Sequence, residues 1–329
     1  MEKKTLLYLP HELIVEILLR LPVKSLICFK CISPEFCSID FETSLNYDPS
    51  PVSLGIGDPY RSVQINGSCR GFICLISSSD MFLWNPSTGF KTQIPWAPKY
   101  LYEHNYGFGY DQSREDYLVV LLSTDCEIEE NPFSSHLEIF SIRDNRWKEI
   151  EGTHFPYCGG GHDNRLLFNG SIHWLSCRID IEIDVIVAFD LMDRKLYEMP
   201  LPDAFHHHGV PANSYLGVFG EFFSVWARDY RNGTIELWVM KEYKLNSSWT
   251  KTLVIPLSTY FNPICSTNNG NIIGKSHSSG LHGLVKYNDK GQLLEFHSFH
   301  DGRPSSAVLY TESLLSLPGN NEQDYKLKE

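Results

Sequence analysis

An aromatic residue that closes one apolar segment recurs along the chain at a nearly fixed interval, at Trp84, Phe140, Phe189, Trp238 and Tyr287. The last four are 49 residues apart, and the first interval, 56 residues, absorbs an insertion around Cys126–Ser135. Each has a partner segment upstream: Phe72–Ile76, Tyr117–Leu122, Ile172–Leu175, Phe222–Trp226 and Asn271–Gly274. The segments are short, β-branched and aromatic. Turn-formers such as Asn85-Pro86-Ser87-Thr88-Gly89, Arg143-Asp144-Asn145 and Asn288-Asp289-Lys290-Gly291 separate them, so they read as strands. A unit of several strands cannot bury both faces of its own sheet, so such units stack radially around a central channel. The spacing predicts a β-propeller over residues 61–317, with five visible units. The strand Ala307–Leu309 is expected to close the ring with N-terminal β segments, giving about six blades.

A period near 50 is that of kelch-like blades, although the usual Gly-Gly doublet occurs only at Gly159-Gly160-Gly161. A β-sandwich built from the same hairpins is the competing arrangement. Residues 6–45 follow a helical period instead. Pro10 suits a first helical turn and Glu12 the positive end of the helix dipole. Leu13, Ile14, Ile17, Leu18 and Leu21 then form a broad apolar stripe. Pro22 ends that helix and opens a second containing Val23, Leu26, Ile27 and Phe29; Ser33 caps a third, from Pro34 to about Phe41. Residues 46–60, rich in proline and glycine, read as a linker, and 318–329 as a C-terminal tail. The fold expectation is therefore all-β with a small α N-terminal part. Three helices in about 40 residues cannot hide this much aliphatic surface among themselves, so the stripe needs either the rest of the chain or another protein.

The net charge of −12 argues against a nucleic-acid or anionic-membrane partner. No apolar run is long enough for a membrane helix. Nine cysteines, an odd number without framework spacing, point to reduced thiols and a cytoplasmic or nuclear location. Cys28-x-x-Cys31 lacks the second pair that a zinc knuckle needs. No phosphate-cradling loop, nucleophile elbow or His-Glu-x-x-His pair occurs, so no catalytic residue, metal or cofactor is expected. Tyr106-Gly107-Phe108-Gly109-Tyr110-Asp111 has glycines but sits among strands, with no helix to present N–H groups to a phosphate. Asp180, Glu182 and Asp184 alternate with Ile179, Ile181 and Ile183, the pattern of a solvated strand edge. His206, His207 and His208 lie in a loop, and with Tyr100 and Tyr102 they are the candidate target-contacting residues, since loops on a rigid scaffold often carry function.

The string LPHELIVEILLRLPVKSLICFKCIS, Leu9 to Ser33, resembles an F-box, the segment that docks on the Skp-type adaptor of Skp–cullin–F-box (SCF) ubiquitin ligases. The resemblance assigns adaptor contacts to Leu9, Pro10, Leu13, Ile14, Ile17, Leu18, Leu21, Pro22, Val23, Leu26 and Phe29. It departs from the family at Ser33-Pro34-Glu35-Phe36, where a basic residue and a tryptophan are usual. The strings INGSCRGFICL (Ile65–Leu75), LWNPSTGFKTQIP (Leu83–Pro95), YGFGYD (Tyr106–Asp111), LFNGSIHWL (Leu167–Leu175) and YTESLLSL (Tyr310–Leu317) resemble the F-box-associated domain of plant F-box proteins, including the S-locus F-box group. These resemblances imply a noncatalytic substrate receptor that reaches cullin and RING subunits through the adaptor and binds a target protein, a ribonuclease in the S-locus case. The alternative is a propeller glycosidase or lectin with a helical cap.

Overall fold

The computed structural model describes residues 25–30, 36–39, 41–42, 44–45, 50–52, 63–77, 80–97, 103–125, 134–150, 157–158, 165–178, 180–205, 214–229, 232–256, 261–278, 281–298 and 304–317. Chain order begins with β1 (Ser25–Lys30), β2 (Phe36–Ile39) and β3 (Ser50–Val52). Next come β4 (Val63–Cys69), β5 (Phe72–Ser77), β6 (Met81–Trp84) and β7 (Lys91–Ile94). They are followed by β8 (Glu103–Asp111), β9 (Asp116–Asp125), β10 (Ser134–Ser141) and β11 (Arg146–Glu149). A third group holds β12 (Tyr157–Cys158), β13 (Arg165–Phe168), β14 (Ser171–Arg178), β15 (Ile183–Asp190) and β16 (Lys195–Met199). Then come β17 (Tyr215–Phe219), β18 (Phe222–Asp229), β19 (Thr234–Met240) and β20 (Trp249–Pro256). The last group is β21 (Phe261–Ser266), β22 (Ile272–Ser278), β23 (Leu281–Tyr287) and β24 (Leu293–Ser298), and β25 (Pro304–Tyr310) ends the order.

These strands pair into six antiparallel sheets. Five are local meanders, from β4–β7 to β21–β24; the sixth, in the order β25-β1-β2-β3, combines the two ends of the described chain. The strands β4, β8, β13, β17, β21 and β25 each touch the next, and β25 returns to β4, so they form a closed inner ring. This is an all-β propeller. The recurring aromatics occupy the same position in five successive sheets, on β6, β10, β15, β19 and β23, next to the outermost strand. Trp84, Phe140, Phe189 and Tyr287 are buried there and Trp238 is partly so.

Apolar side chains gather between neighbouring sheets. Phe72, Leu83, Phe108 and Val119 belong to the cluster joining the first two meanders. Five further clusters continue around the ring, the last bringing Phe36 and Tyr310 against Ile73 and Trp84. Strands near the middle are covered on both faces and read as continuous apolar runs, as in FICLIS of β5. The outer strand β7 (KTQI) is polar at three of its four positions, and five of the eight residues of β20 (WTKTLVIP) are exposed, Lys251 among them, features that discourage open edges from pairing with other chains. Gly107 lets β8 press on its neighbour, because a Cβ there would lie 2.5 Å from Ile172 Cγ2. The glycines of Tyr106–Asp111 thus serve close packing. The same string ends at Asp111, whose fully buried carboxylate accepts hydrogen bonds from Arg114 Nη1 (2.9 Å) and Arg194 Nη2 (3.0 Å), tying two sheets together.

The N-terminal expectation needs correction. The helix expected from Pro10 to Leu21 lies outside the described residues. The second expected helix is β1, and the third, from Pro34 to about Phe41, is β2 followed by a turn at Phe41–Glu42. β3 falls within the segment expected as linker. In β1, Leu26 pairs with Leu309 on one side and Ile39 on the other, and Phe29 with Ser306 and Phe36. The run SLICFK is too short for periodicity to separate strand from helix. What decides is the ring: β25 alone would leave the last sheet with one strand and raw edges, and β1–β3 pair those backbone groups. Beyond β2 the chain is anchored again, since Glu295 Oε2 accepts from Leu45 N (2.7 Å) and Ser44 Oγ (2.8 Å), and Lys286 Nζ donates to the Phe41 carbonyl (3.2 Å). Phe36, which stands where the resemblance calls for tryptophan, is fully buried with its ring 4.9 Å from that of Trp84.

The alternating acids also need correction. Asp180, Ile181 and Glu182 lie in the turn between β14 and β15, with Glu182 at φ 53°, and of the described residues in that run only Ile183 and Asp184 enter a strand. Arg178 Nη2 donates to Asp180 Oδ2 at 2.6 Å across that turn. A six-residue alternation mimicked a strand edge because polar turn residues happened to fall at every second position.

Candidate functional site

The six inner strands enclose a channel with a cavity of about 260 Å³. Its wall is largely backbone and small or aliphatic side chains, interrupted by polar groups from sheets far apart in sequence: Asn66 and Ser68 on β4, Arg165 on β13, Tyr215 on β17, Asn262 on β21 and Lys275 on β22. Arg165 opens β13 and donates through Nη2 to the Ile65 carbonyl of β4 at 2.9 Å. Lys275 is 7% exposed and pairs with Asn262, the second residue of β21. Both cations therefore lie at the end of the channel where β13 and β21 begin. Arg228 stands just behind, donating to the Phe261 carbonyl (2.8 Å) and to Asn262 Oδ1. Among the described residues that line the channel there is no carboxylate. No local motif marks this cavity; Arg165 and Lys275 meet only because the ring closes.

Burial pushes the Cys74 thiol, beside the channel wall, up to about 12 against the opposing pull of Arg165 and Asn66. The Cys69 thiol is also pushed up to about 12 by burial. Neither thiol supplies a thiolate near neutral pH. Among the described residues no group of three His, Cys, Asp or Glu side chains converges as metal ligands do.

Most residues singled out from sequence are not among those the structure describes. His206, His207, His208, Tyr100 and Tyr102 are outside the described residues, as are Leu9, Pro10, Leu13, Ile14, Ile17, Leu18, Leu21, Pro22 and Val23. Leu26 and Phe29 are on β1, within the closing sheet. Trp96 is 37% exposed at the outer rim, its ring 6.4 Å from that of Tyr106 in an edge arrangement.

A pH-sensitive histidine that the sequence did not mark is His173 on β14. It is fully buried against Phe223, with ring centroids 4.7 Å apart. Nδ1 donates to the Leu166 carbonyl (3.2 Å), which leaves Nε2 to accept from the Tyr243 hydroxyl (2.7 Å). Burial, with the nearby Lys244 charge, lowers its pKa to about 4. An unfolded histidine titrates near about 6.5. Between those values the unfolded chain binds a proton that the folded chain does not, so stability falls as pH drops from about 6.5 to about 4. The loss at pH 4.5 should reach about 2–3 kcal/mol. Urea unfolding at pH 7 and 4.5 should show that His173→Gln removes this part of the pH slope; an unaltered slope would assign it to other groups.

A family model described as the F-box associated beta propeller domain matches residues 32–279, and a model of the F-box domain matches residues 6–39. The two matches share residues 32–39, which include β2. An F-box/kelch-repeat protein of Arabidopsis thaliana is 24% identical over 326 residues, covering 83% of this chain and 86% of that protein. The F-box protein CPR1 of the same plant is 25% identical over 307 residues, covering 75% of this chain and 73% of that protein.

Proposed function

We propose, from the premise that this chain belongs to the F-box proteins carrying an F-box-associated β-propeller domain, that it is the substrate-recognition subunit of an SCF-type ubiquitin ligase. The observation that carries the reading is the combination, in one chain, of an F-box match over residues 6–39 and a closed β ring. In this reading Leu9, Pro10, Leu13, Ile14, Ile17, Leu18, Leu21, Pro22 and Val23 dock on a Skp-type adaptor, which brings the cullin and RING subunits. Leu26 and Phe29 belong to the same proposed contact and lie on β1, in the closing sheet. Each of the six sheets is read as one blade, and loops at one end of the ring grip a target protein. His206–His208, Tyr100 and Tyr102 are the proposed contacts.

The role is noncatalytic. Holding a lysine of the target near the thioester of a ubiquitin-conjugating enzyme raises effective concentration without the receptor supplying a nucleophile. The proposed location is the cytoplasm or nucleus, where ligase and target meet.

Because β1 begins at Ser25, a cut at residue 45 would remove two strands of the closing sheet. The informative truncation starts at Lys24. That shortened chain should unfold as cooperatively as the full chain and fail to retain a Skp-type adaptor in co-purification. Adaptor retention by the folded truncated chain would overturn the docking assignment.

A further inference from the structure

We propose that His277 on β22 and His282 on β23, which stand directly opposite each other in register, form a binding site for a divalent transition-metal ion of the zinc and nickel class. The hairpin that carries them is tight: only two residues separate Ser278 from Leu281, which are themselves paired. Hydrogen-bonded and non-hydrogen-bonded pairs alternate along an antiparallel ladder, and the pair that closes a two-residue turn is hydrogen-bonded. His277 and His282, the next pair inward, are therefore a non-hydrogen-bonded pair. Pro263 agrees with this parity. It has no N–H and pairs with Gly274 across the other border of β22, so Gly274, Ser276 and Ser278 turn their backbone groups to β23 and His277 does not. In a pair of this kind the Cα atoms are about 4.5 Å apart and the two positions share one face of the sheet. Among the described residues no other two histidines are directly opposed in register.

Imidazole is a nitrogen ligand that suits zinc, copper and nickel ions. Two imidazoles at this spacing on a rigid ladder give up little freedom on closing around one ion, with bonds of about 2.0–2.1 Å, and leave its other positions to water. The net charge of −12 draws cations to the molecule. Lys275, two residues before His277 on the same strand, opposes a cation and keeps the affinity modest. A bound ion would clip β22 to β23. Their sheet also carries Glu295 and Lys286, which hold Leu45 and Phe41, so the clip would steady the sheet that meets the seam of the ring. The inference concerns the ring alone and stands apart from the adaptor reading.

The test is the thermal transition of the full-length chain with and without 1 mM Ni²⁺ (about a hundredfold excess over protein), at pH 7.5 and at pH 5.5. A rise of about 2 °C or more is expected at pH 7.5, and its loss at pH 5.5, where protonated imidazole cannot ligate. His277→Gln and His282→Gln should each lose the rise, because one imidazole alone holds the ion far more weakly, while their transitions in metal-free buffer report that they are folded. Should one of them not fold, the other is read alone. Serine at His206, His207 and His208 together should leave the rise intact. No rise in the unaltered chain, a rise that survives in a folded His277→Gln or His282→Gln, or one that vanishes in the serine variant overturns the proposal.

Discussion

Replacing Leu13 and Ile17 together by aspartate is expected to abolish capture of a Skp-type adaptor while the thermal transition of the ring moves by no more than about 2 °C. The two side chains sit one helical turn apart in the stripe that precedes β1, so in a helix they share one face. Each buried aliphatic contributes about 1.5–3 kcal/mol to such a contact, so losing both costs about 3–6 kcal/mol before the charges are counted. That corresponds to roughly a hundred- to ten-thousand-fold in Kd. Carboxylates placed against an apolar partner surface add a desolvation penalty. The readout is co-purification beside calorimetry of the free chain. If adaptor capture survives in the double variant, the helix does not dock there. If the ring unfolds with it, the stripe belongs to the chain's own core.

Phe36→Ala should do the opposite. Phe36 is fully buried and packs its ring 4.9 Å from Trp84, in the cluster that joins the closing sheet to the first meander. Truncating a phenylalanine in such a position costs about 3–5 kcal/mol, through lost burial and the cavity left behind. Urea unfolding should show that loss, and the fraction still folded should capture the adaptor as well as the parent chain does. Full stability with lost capture would return Phe36 to a docking helix and contradict its place on β2.

The ring was largely legible in advance because its unit repeats. Trp84, Phe140, Phe189, Trp238 and Tyr287 mark equivalent strands, and a repeated unit with two apolar faces has few ways to bury them. The role of Ala307–Leu309 as a closing strand followed from an odd strand left over. Its partners were less visible. SLICFK carries Ile27 and Phe29, which favour strands, but it follows a stripe of helical period, and a short apolar run takes its structure from what it can pair with. The pairing partner lies at the other end of the sequence. Arg165 and Lys275 were missed for a related reason: a lone basic residue beside apolar neighbours carries no local mark of a cavity assembled from six strands. The turn at Asp180–Glu182 shows the reverse error, where a regular alternation had no strand beneath it.

The ring's seam has a consequence for the birth of the protein. Leu26 pairs with Leu309, so β1 must wait for β25, the last strand among the described residues, before their sheet is complete. At a ribosomal pace of about 5–20 residues per second, the unfinished arc persists for many seconds with both borders unsatisfied. The residues before β1, by contrast, are made ahead of the whole ring. A message broken or stopped upstream of Pro304 would therefore yield an arc that cannot shut. Such a fragment would offer raw strand edges for aggregation, so the codons for β25 decide whether the earlier strands make a stable molecule.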